Sequence, residues 1–183
     1  MNLRERWVNL LYRLATGTRK SRGLLTPVGA VLFGLFTASF VIVGLLVDQV
    51  LPVQWPIPGT ISRLISIPIL GAGIVMTAWS VIHFLKVKGT PVPFNPPPTL
   101  VDGGPYRYVR NPMVTGVILL LFGLGFAVGS LSLVIIFTRL YVLAHVWELK
   151  NIEEPELIRR LGEDYLVYRS RTPMFIPRKR KDK

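Results

Sequence analysis

Two polar clusters in an otherwise apolar chain have residue types and spacing suited to ligand chemistry. In the first, Asn111 is a favoured helix N-cap and Pro112 a favoured first helical residue. A helix that starts there presents free N–H groups and a positive dipole end, which suit a carboxylate or phosphate; alternatively, Asn111 is only a cap. In the second, Glu153 and Glu154 precede Pro155. Adjacent helical residues point about 100° apart, so we expect one carboxylate in a site and the other against water or an arginine.

The segment around Pro155 carries charges at helical spacing. A proline cannot continue the backbone hydrogen bonding of a preceding helix, so we expect a kink or a restart there. Glu156 is placed to pair with Arg159 and Arg160 at i,i+3 and i,i+4, a pattern typical of a solvated helix face. Gly162 is suited to end this short helix.

Three further features lie inside apolar stretches. Arg139 indicates function because an intramembrane arginine is costly, although it could instead reach the membrane surface or a backbone carbonyl. On a regular helix we expect it on nearly the same face as Val142, Val146 and Glu153. His145 is similarly ambiguous. The spacing Gly123-x-Gly125-x-x-x-Gly129 favours close helix packing over a nucleotide loop, because no strand precedes it.

The composition excludes several classes of site. The chain has 183 residues, no cysteine and two histidines, so it has no disulfides, no thiol nucleophile and little provision for a metal. We predict no metal site. Half of the residues are hydrophobic and mean hydropathy is +0.45, which excludes extensive disorder.

The elements that must position these residues are membrane-spanning helices. Charge-free blocks run over 23–47, 64–85 and 111–138, and a span needs about 20 apolar residues. The last block, with its continuation, is too long for one span, and its fold-back is expected at Gly129-Ser130. We therefore predict an all-α integral membrane bundle of about four spans, the last two forming a tight hairpin. The spans are 27–47, 64–85, 112–128 and 131–147.

Lys and Arg are frequent only in alternate segments, which predicts the orientation. By the positive-inside rule, both termini and the 86–111 loop lie in the cytoplasm of a cell-membrane protein. The numbers of Lys and Arg are six in 1–22, one in 48–63, four in 86–110, none in 129–130 and ten from Glu148 onward. This pattern accounts for the net charge of +12 without nucleic acid, and places the basic run at 178–181 against anionic lipid.

The chain therefore divides into an interfacial segment, 1–22, and a membrane domain, 23–183, that ends in a cytoplasmic helical tail from residue 148. An amphipathic helix lying on the membrane as an anchor is predicted by apolar residues that recur at helical spacing, namely Leu3, Trp7, Leu10, Leu11 and Leu14.

Residues 86–177 also carry an ordered set of short motifs separated by the predicted hairpin. They are Thr99-Leu100-Val101, Gly104-Pro105-Tyr106-Arg107-Tyr108-Val109-Arg110-Asn111-Pro112, Glu153-Glu154-Pro155-x-Leu157, Gly162-x-x-Tyr165-x-x-Tyr168 and Pro177. This pattern resembles the isoprenylcysteine carboxyl methyltransferase and phospholipid methyltransferase superfamily, integral membrane enzymes that use S-adenosylmethionine.

The resemblance implies a set of cofactor-binding positions. They are Thr99, Leu100, Val101, Tyr106, Asn111, Pro112, Met113, Val114 and Glu153. We predict Glu153 and Arg110 as the catalytic residues. Arg110 could hold an anionic head group or a substrate carboxylate, or it could instead be a basic interfacial anchor. The proline-rich loop 89–111 is then a lid or wall of the site.

Three positions depart from the family pattern. Asn111 and Val114 stand where members typically have histidine and tyrosine, and Leu149 stands where eukaryotic members have a substrate-associated arginine. The resemblance implies methyl transfer to a lipid-like or small hydrophobic acceptor, such as an isoprenylcysteine carboxylate or a phospholipid. The alternative is a non-catalytic four-span scaffold, which the departures at Val114 and Leu149 favour. The partners are then the bilayer and the acceptor, without nucleic acid.

Overall fold

The computed structural model describes residues 2–87, 89–90, 95–97 and 99–177. Over these residues the chain is all helical, as predicted. The helices are α1 (Leu3–Ala15), α2 (Arg19–Val50), α3 (Gly59–Lys86), α4 (Pro112–Val128), α5 (Thr138–Glu148), α6 (Glu154–Leu161) and α7 (Glu163–Arg171). A 3₁₀ turn, Gly104–Arg107, precedes α4, and π-helical turns, Leu133–Phe137 and Leu149–Glu153, flank α5. Parts of two predicted segments fall outside the described residues: Lys88, Pro91, Pro93 and Pro98 of the cytoplasmic loop 86–111, and the basic run at 178–181.

The first helix forms where the amphipathic pattern predicted it. Asn2 and Glu5 make reciprocal hydrogen bonds of 2.9 and 3.0 Å between side chains and backbone N–H groups, which satisfies two free donors of α1. Leu11 faces the protein, whereas Leu3 and Trp7 are exposed. The amphipathic helix is confirmed, and its position on a membrane stays a prediction.

Helices α2 and α3 are long and apolar enough to cross a bilayer. They contain 32 and 28 residues, or about 48 and 42 Å, against a hydrocarbon core of about 30 Å. Very little of α2 is buried, and its outward side chains are large and apolar. The predicted spans 27–47 and 64–85 lie within these two helices.

The predicted third span matches α4, and the chain then reverses as expected. Gly129 ends α4 with φ +68°, a left-handed conformation that glycine adopts without strain. At the same turn, Asp48 accepts hydrogen bonds from the Ser130 hydroxyl and from the Ser132 N–H, the latter at 3.1 Å. The hairpin is therefore confirmed, while four crossings of a membrane stay a prediction.

Helices α3 and α4 pack closely through glycines. A Cβ at Gly73 would lie 2.9 Å from the Gly116 carbonyl oxygen, and one at Gly123 would lie 2.9 Å from Leu70. A Cβ at Gly125 would lie 2.5 Å from Val134, on the opposite arm of the hairpin. The glycine spacing therefore serves helix packing, as predicted.

The second arm of the hairpin is one continuous helical path from residue 131 to residue 161 that includes both π turns. A π turn inserts one residue, so each rotates the following side chains by about 100° relative to a regular helix. Arg139 lies between the two turns and is exposed on the outer surface. Our expectation that it shares a face with Glu153 is wrong, because that estimate assumed uninterrupted α-helical periodicity.

The second π turn also changes how the helix passes Pro155. Helix α6 begins at Glu154 with this proline in its first turn, and the expected kink or restart takes the form of a change from π-helical to α-helical bonding within one continuous path. Pro155 leaves the Asn151 carbonyl without its regular α-helical donor, and Arg4 of α1 donates to that oxygen at 3.0 Å. Arg159 of α6 also stacks over the Tyr12 ring at 4.2 Å, so α1 is held against α6.

Candidate functional site

A cavity, called here the main cavity, lies between the loop before α4, the first turn of α4, and helices α6 and α7. Nine of the ten predicted site residues line it: Thr99, Leu100, Val101, Tyr106, Arg110, Asn111, Met113, Val114 and Glu153. Pro112 does not line it and is fully buried. The two clusters identified in the sequence, about forty residues apart, therefore meet at one cavity, and Pro96 and Pro97 add to its wall as the loop prediction required.

The start of α4 leaves backbone donors at this cavity. Asn111 occupies the N-cap position, but its side chain makes no capping hydrogen bond, so the predicted cap interaction is wrong. Its N–H donates to the Met174 carbonyl at 3.1 Å, which holds the residue in place through the backbone. The N–H groups of Met113 and Val114 belong to the first turn and have no acceptor within the helix.

Glu153 projects an unpaired carboxylate into the main cavity. It makes no hydrogen bond or ion pair with the residues that the structure describes. Burial raises its pKa well above the usual value, and the nearby Glu148 and Glu156 carboxylates raise it further, while Arg160 acts in the opposite direction. A cationic ligand would offset both effects, so the site is suited to one.

Arg110 is occupied by the protein itself. Its Nη2 contacts Glu154 at 2.6 Å, and its Nη1 donates to the carbonyls of Thr172 and Arg169 at 2.5 and 3.1 Å. Both partners of the ion pair are nearly buried. Glu154 is thus the carboxylate that meets an arginine, as expected, and only the buried Nε of Arg110 has no partner among the described residues.

Glu156 and Arg160 form a second buried ion pair, at 2.8 Å, in the wall of the main cavity. Arg160 also donates to the Pro97 carbonyl at 3.2 Å, which ties α6 to the proline-rich loop. Our interpretation of these charges as a solvated face is therefore wrong. Leu11 of helix α1 also lines this wall. The sequence analysis predicted α1 only as a membrane anchor and did not predict this contribution.

Aromatic side chains enclose the opposite wall. Tyr106 is 6% exposed and packs edge-to-face on Phe84, with ring centroids 4.8 Å apart. The Tyr168 hydroxyl donates to the Tyr106 carbonyl at 2.7 Å and fixes the 3₁₀ turn. Burial, and secondarily the charge of Glu153, raise the pKa of Tyr106, so this phenol stays neutral.

A second cavity shares Met113, Val114 and Glu153 with the main cavity and extends between α2 and α5. Most of its wall is apolar. The residues that complete it are Leu32, Phe33, Phe36, Ala144, His145, Glu148 and Leu149. Val114 and Leu149, where the chain departs from the family pattern, both belong to this wall.

Glu148 is the functional candidate that the sequence did not reveal. It forms no ion pair or hydrogen bond with described residues, and burial raises its pKa to about 7. A single glutamate after an apolar span carries no distinctive sequence signal. Its position beside Glu153 depends on the π turn at Leu149–Glu153, because residues five apart are stacked by the i→i+5 hydrogen bonds of such a turn.

Comparison with known proteins gives one match. A family model described as phospholipid methyltransferase matches residues 62–164, which is more than half of the 183-residue chain. The matched range extends from α3 to the start of α7 and includes most of the main cavity. Neither the curated proteins nor the solved structures give a match.

Proposed function

The chain belongs to the phospholipid methyltransferase family, in agreement with the resemblance in its sequence, and from this premise we propose that it is an S-adenosylmethionine-dependent enzyme of the membrane. Its acceptor is a lipid-like or small hydrophobic molecule reached at the cytoplasmic face. The observation that carries the proposal is the main cavity, where an unpaired carboxylate, free helix N–H groups and apolar side chains face one space.

The residues around the main cavity fit S-adenosylmethionine. Glu153 complements the cofactor's positive groups, because its carboxylate has no partner among the described residues. The N–H groups of Met113 and Val114 complement its carboxylate at the positive end of α4. Leu100 and Val101 provide apolar contacts for adenine. Bound there, the cofactor would supply a methyl group on a positively charged sulfur.

The protein's own task is positioning and exclusion of water. Methyl transfer needs the acceptor atom and the methyl group in line and about 3–3.5 Å apart before reaction. Tyr106, Phe84 and Tyr168 form a rigid aromatic wall, and the Glu156–Arg160 pair fixes α6 to the loop. The ion pair of Arg110 with Glu154 supports a role for Arg110 in positioning the α4 start, in place of the acceptor contact first expected.

We further propose that the protein crosses the cell membrane four times, at 27–47, 64–85, 112–128 and 131–147, with both termini in the cytoplasm. The distribution of Lys and Arg supports this orientation. It puts the main cavity on the cytoplasmic side, where S-adenosylmethionine is available, and α1 on the inner membrane surface.

Titration of the detergent-solubilised full chain with S-adenosylmethionine in a calorimeter tests the proposal. A hydrogen bond to a charged group contributes about 1.5–3 kcal/mol, so Glu153→Gln should raise Kd about 10- to 150-fold. Glu163→Gln, an exposed glutamate of α7, is the matched control and should leave Kd unchanged. Absence of binding by the wild-type protein would instead support the non-catalytic scaffold, and equal Kd values for both variants would remove Glu153 from the site.

A further inference from the structure

Helix α1 packs against the segment that carries Glu153, although it lies far away along the chain and outside the range of the family model. Leu11 of α1 is buried and lines the main cavity. Arg159 of α6 stacks over the Tyr12 ring at 4.2 Å. These contacts hold α1 beside α6 and the preceding π turn, Leu149–Glu153, which ends in the carboxylate of the main cavity.

The π turn has two hydrogen bonds from side chains in addition to its backbone bonds. The Asn151 side-chain amide donates to the Trp147 carbonyl at 2.8 Å. The Asn151 carbonyl in turn accepts a hydrogen bond from Nε of Arg4 at 3.0 Å. In a regular α-helix this carbonyl would bond to the N–H of residue 155, but Pro155 has none. Arg4 therefore supplies a donor that proline removes from the helix, two residues before Glu153.

We propose that Arg4 is a positioning residue for the cofactor site, and that it acts through the Asn151 carbonyl to hold the π turn that directs Glu153 into the main cavity. The inference rests on the proposed function and adds to it a residue from outside the matched range of the family. Arg4 does not line the main cavity, so its effect reaches the site through the backbone of the turn.

The consequence of a loosened turn follows from helix geometry. Loss of the residue that a π turn inserts rotates one side of the helix by about 100° relative to the other. Helix α6 resists this rotation, because its Glu154 is bound to Arg110 in a nearly buried ion pair. The displacement therefore falls on the turn itself, and it moves the Glu153 carboxylate away from the main cavity and from Glu148.

Amide hydrogen exchange of the detergent-solubilised full chain, read by mass spectrometry without cofactor, tests the first step. Because one hydrogen bond is lost, exchange in the π turn should become about 2- to 12-fold faster in Arg4→Ala. The matched control is Arg6→Ala, since Arg6 is an exposed arginine of the same helix whose side chain has no hydrogen bond or ion pair with described residues. Exchange in α3 and α4 should not change in either variant. Arg4→Lys keeps the charge and a donor, so its exchange rate should fall between those of wild type and Arg4→Ala.

Calorimetric titration with S-adenosylmethionine at several pH values tests the second step. The titratable groups around the Glu153 carboxylate are Glu148, Glu154, Glu156, Arg160 and the phenols of Tyr106 and Tyr165. Burial and the neighbouring carboxylates raise the pKa of Glu153, so separation from Glu148 should lower it. Arg4→Ala should therefore raise Kd about 2- to 12-fold at neutral pH, and its remaining affinity should be lost at a lower pH than in wild type. Arg6→Ala should keep the wild-type Kd and pH profile.

Three results would overturn the inference. The first is equal exchange of the π turn in Arg4→Ala and Arg6→Ala. The second is faster exchange in Arg4→Ala with a wild-type Kd and pH profile. The third is an equal increase in exchange in α3 and α4, because that result would indicate general destabilisation. Absence of cofactor binding by the wild-type protein would refute the proposed function, and the exchange rates would still decide whether Arg4 holds the turn.

Discussion

Replacement of Arg110 separates a structural role from a role in substrate binding. The sequence assigned this residue to an anionic substrate group, but its guanidinium joins Glu154 of α6 and two carbonyls of the C-terminal segment. We therefore expect Arg110→Ala to act first on the stability of the fold around the α4 start, and only through it on catalysis.

The size of the effect follows from burial. The side chains of Arg110 and Glu154 are 11% and 8% exposed, and loss of one partner of a buried pair costs about 3–5 kcal/mol. Arg169 remains 3.5 Å from Glu154 and compensates in part, so we expect the lower end, about 3 kcal/mol. The double variant Arg110→Met with Glu154→Met removes both buried charges. It should therefore recover at least half of the free energy of unfolding that Arg110→Ala loses.

The assay is equilibrium unfolding in mixed micelles, followed by far-ultraviolet circular dichroism. Arg171→Ala is the matched control, because Arg171 pairs with Asp102 at 2.7 Å in a largely exposed setting. Exposed pairs contribute about 0–1 kcal/mol, so the control should stay within that range. The reasoning fails if Arg110→Ala is no more destabilising than Arg171→Ala. It also fails if Arg110→Ala abolishes methyl transfer without a change in stability, because that result would indicate a role for Arg110 in substrate binding.

Two further outcomes depend on packing and on charge. Gly116→Ala should destabilise the α3–α4 pair by about 1–3 kcal/mol in the same unfolding assay, because its Cβ would lie 2.8 Å from the Gly73 carbonyl oxygen. Gly71→Ala, which meets no atom within 4 Å, should have no such cost. Since the pKa of Glu153 is raised, its carboxylate is lost at a higher pH than an ordinary glutamate, and calorimetric affinity for S-adenosylmethionine should fall as pH decreases through that pKa. Glu153→Gln should remove this dependence; an unchanged pH profile would contradict the assignment.

The fold was predictable wherever one local signal determined it. The hairpin follows from Gly129-Ser130, the start of α4 from Asn111 and Pro112, and the close helix packing of α4 from its glycine spacing. The π turns were not predictable, because an apolar run such as Leu133–Phe137 fits a regular helix equally well. The placement of Arg139 failed for this reason, since a single inserted residue rotates all later side chains.

The sequence predicted which residues line the main cavity, but not which hydrogen-bond and ion-pair partners they have. The motifs indicate which residues line the main cavity. The hydrogen-bond and ion-pair partners of those residues depend on distances between segments that are far apart along the chain. Glu156 and Arg160 have the spacing of a surface pair, yet both side chains are nearly buried and Arg160 is bound to the Pro97 carbonyl of the proline-rich loop. Asn111 has the residue type of a cap, yet the Met174 carbonyl holds it through its backbone.

The π turn at Leu149–Glu153 connects these observations to the chemistry. In a regular α-helix, residues five apart point about 140° away from each other, so Glu148 and Glu153 would face different surroundings. The i→i+5 bonding of the turn stacks them, and both then line the second cavity. Glu153 also lines the main cavity, which makes it the residue common to both. The same local irregularity, which has no signal in the sequence, therefore places two carboxylates without partners among the described residues at the junction of the two cavities.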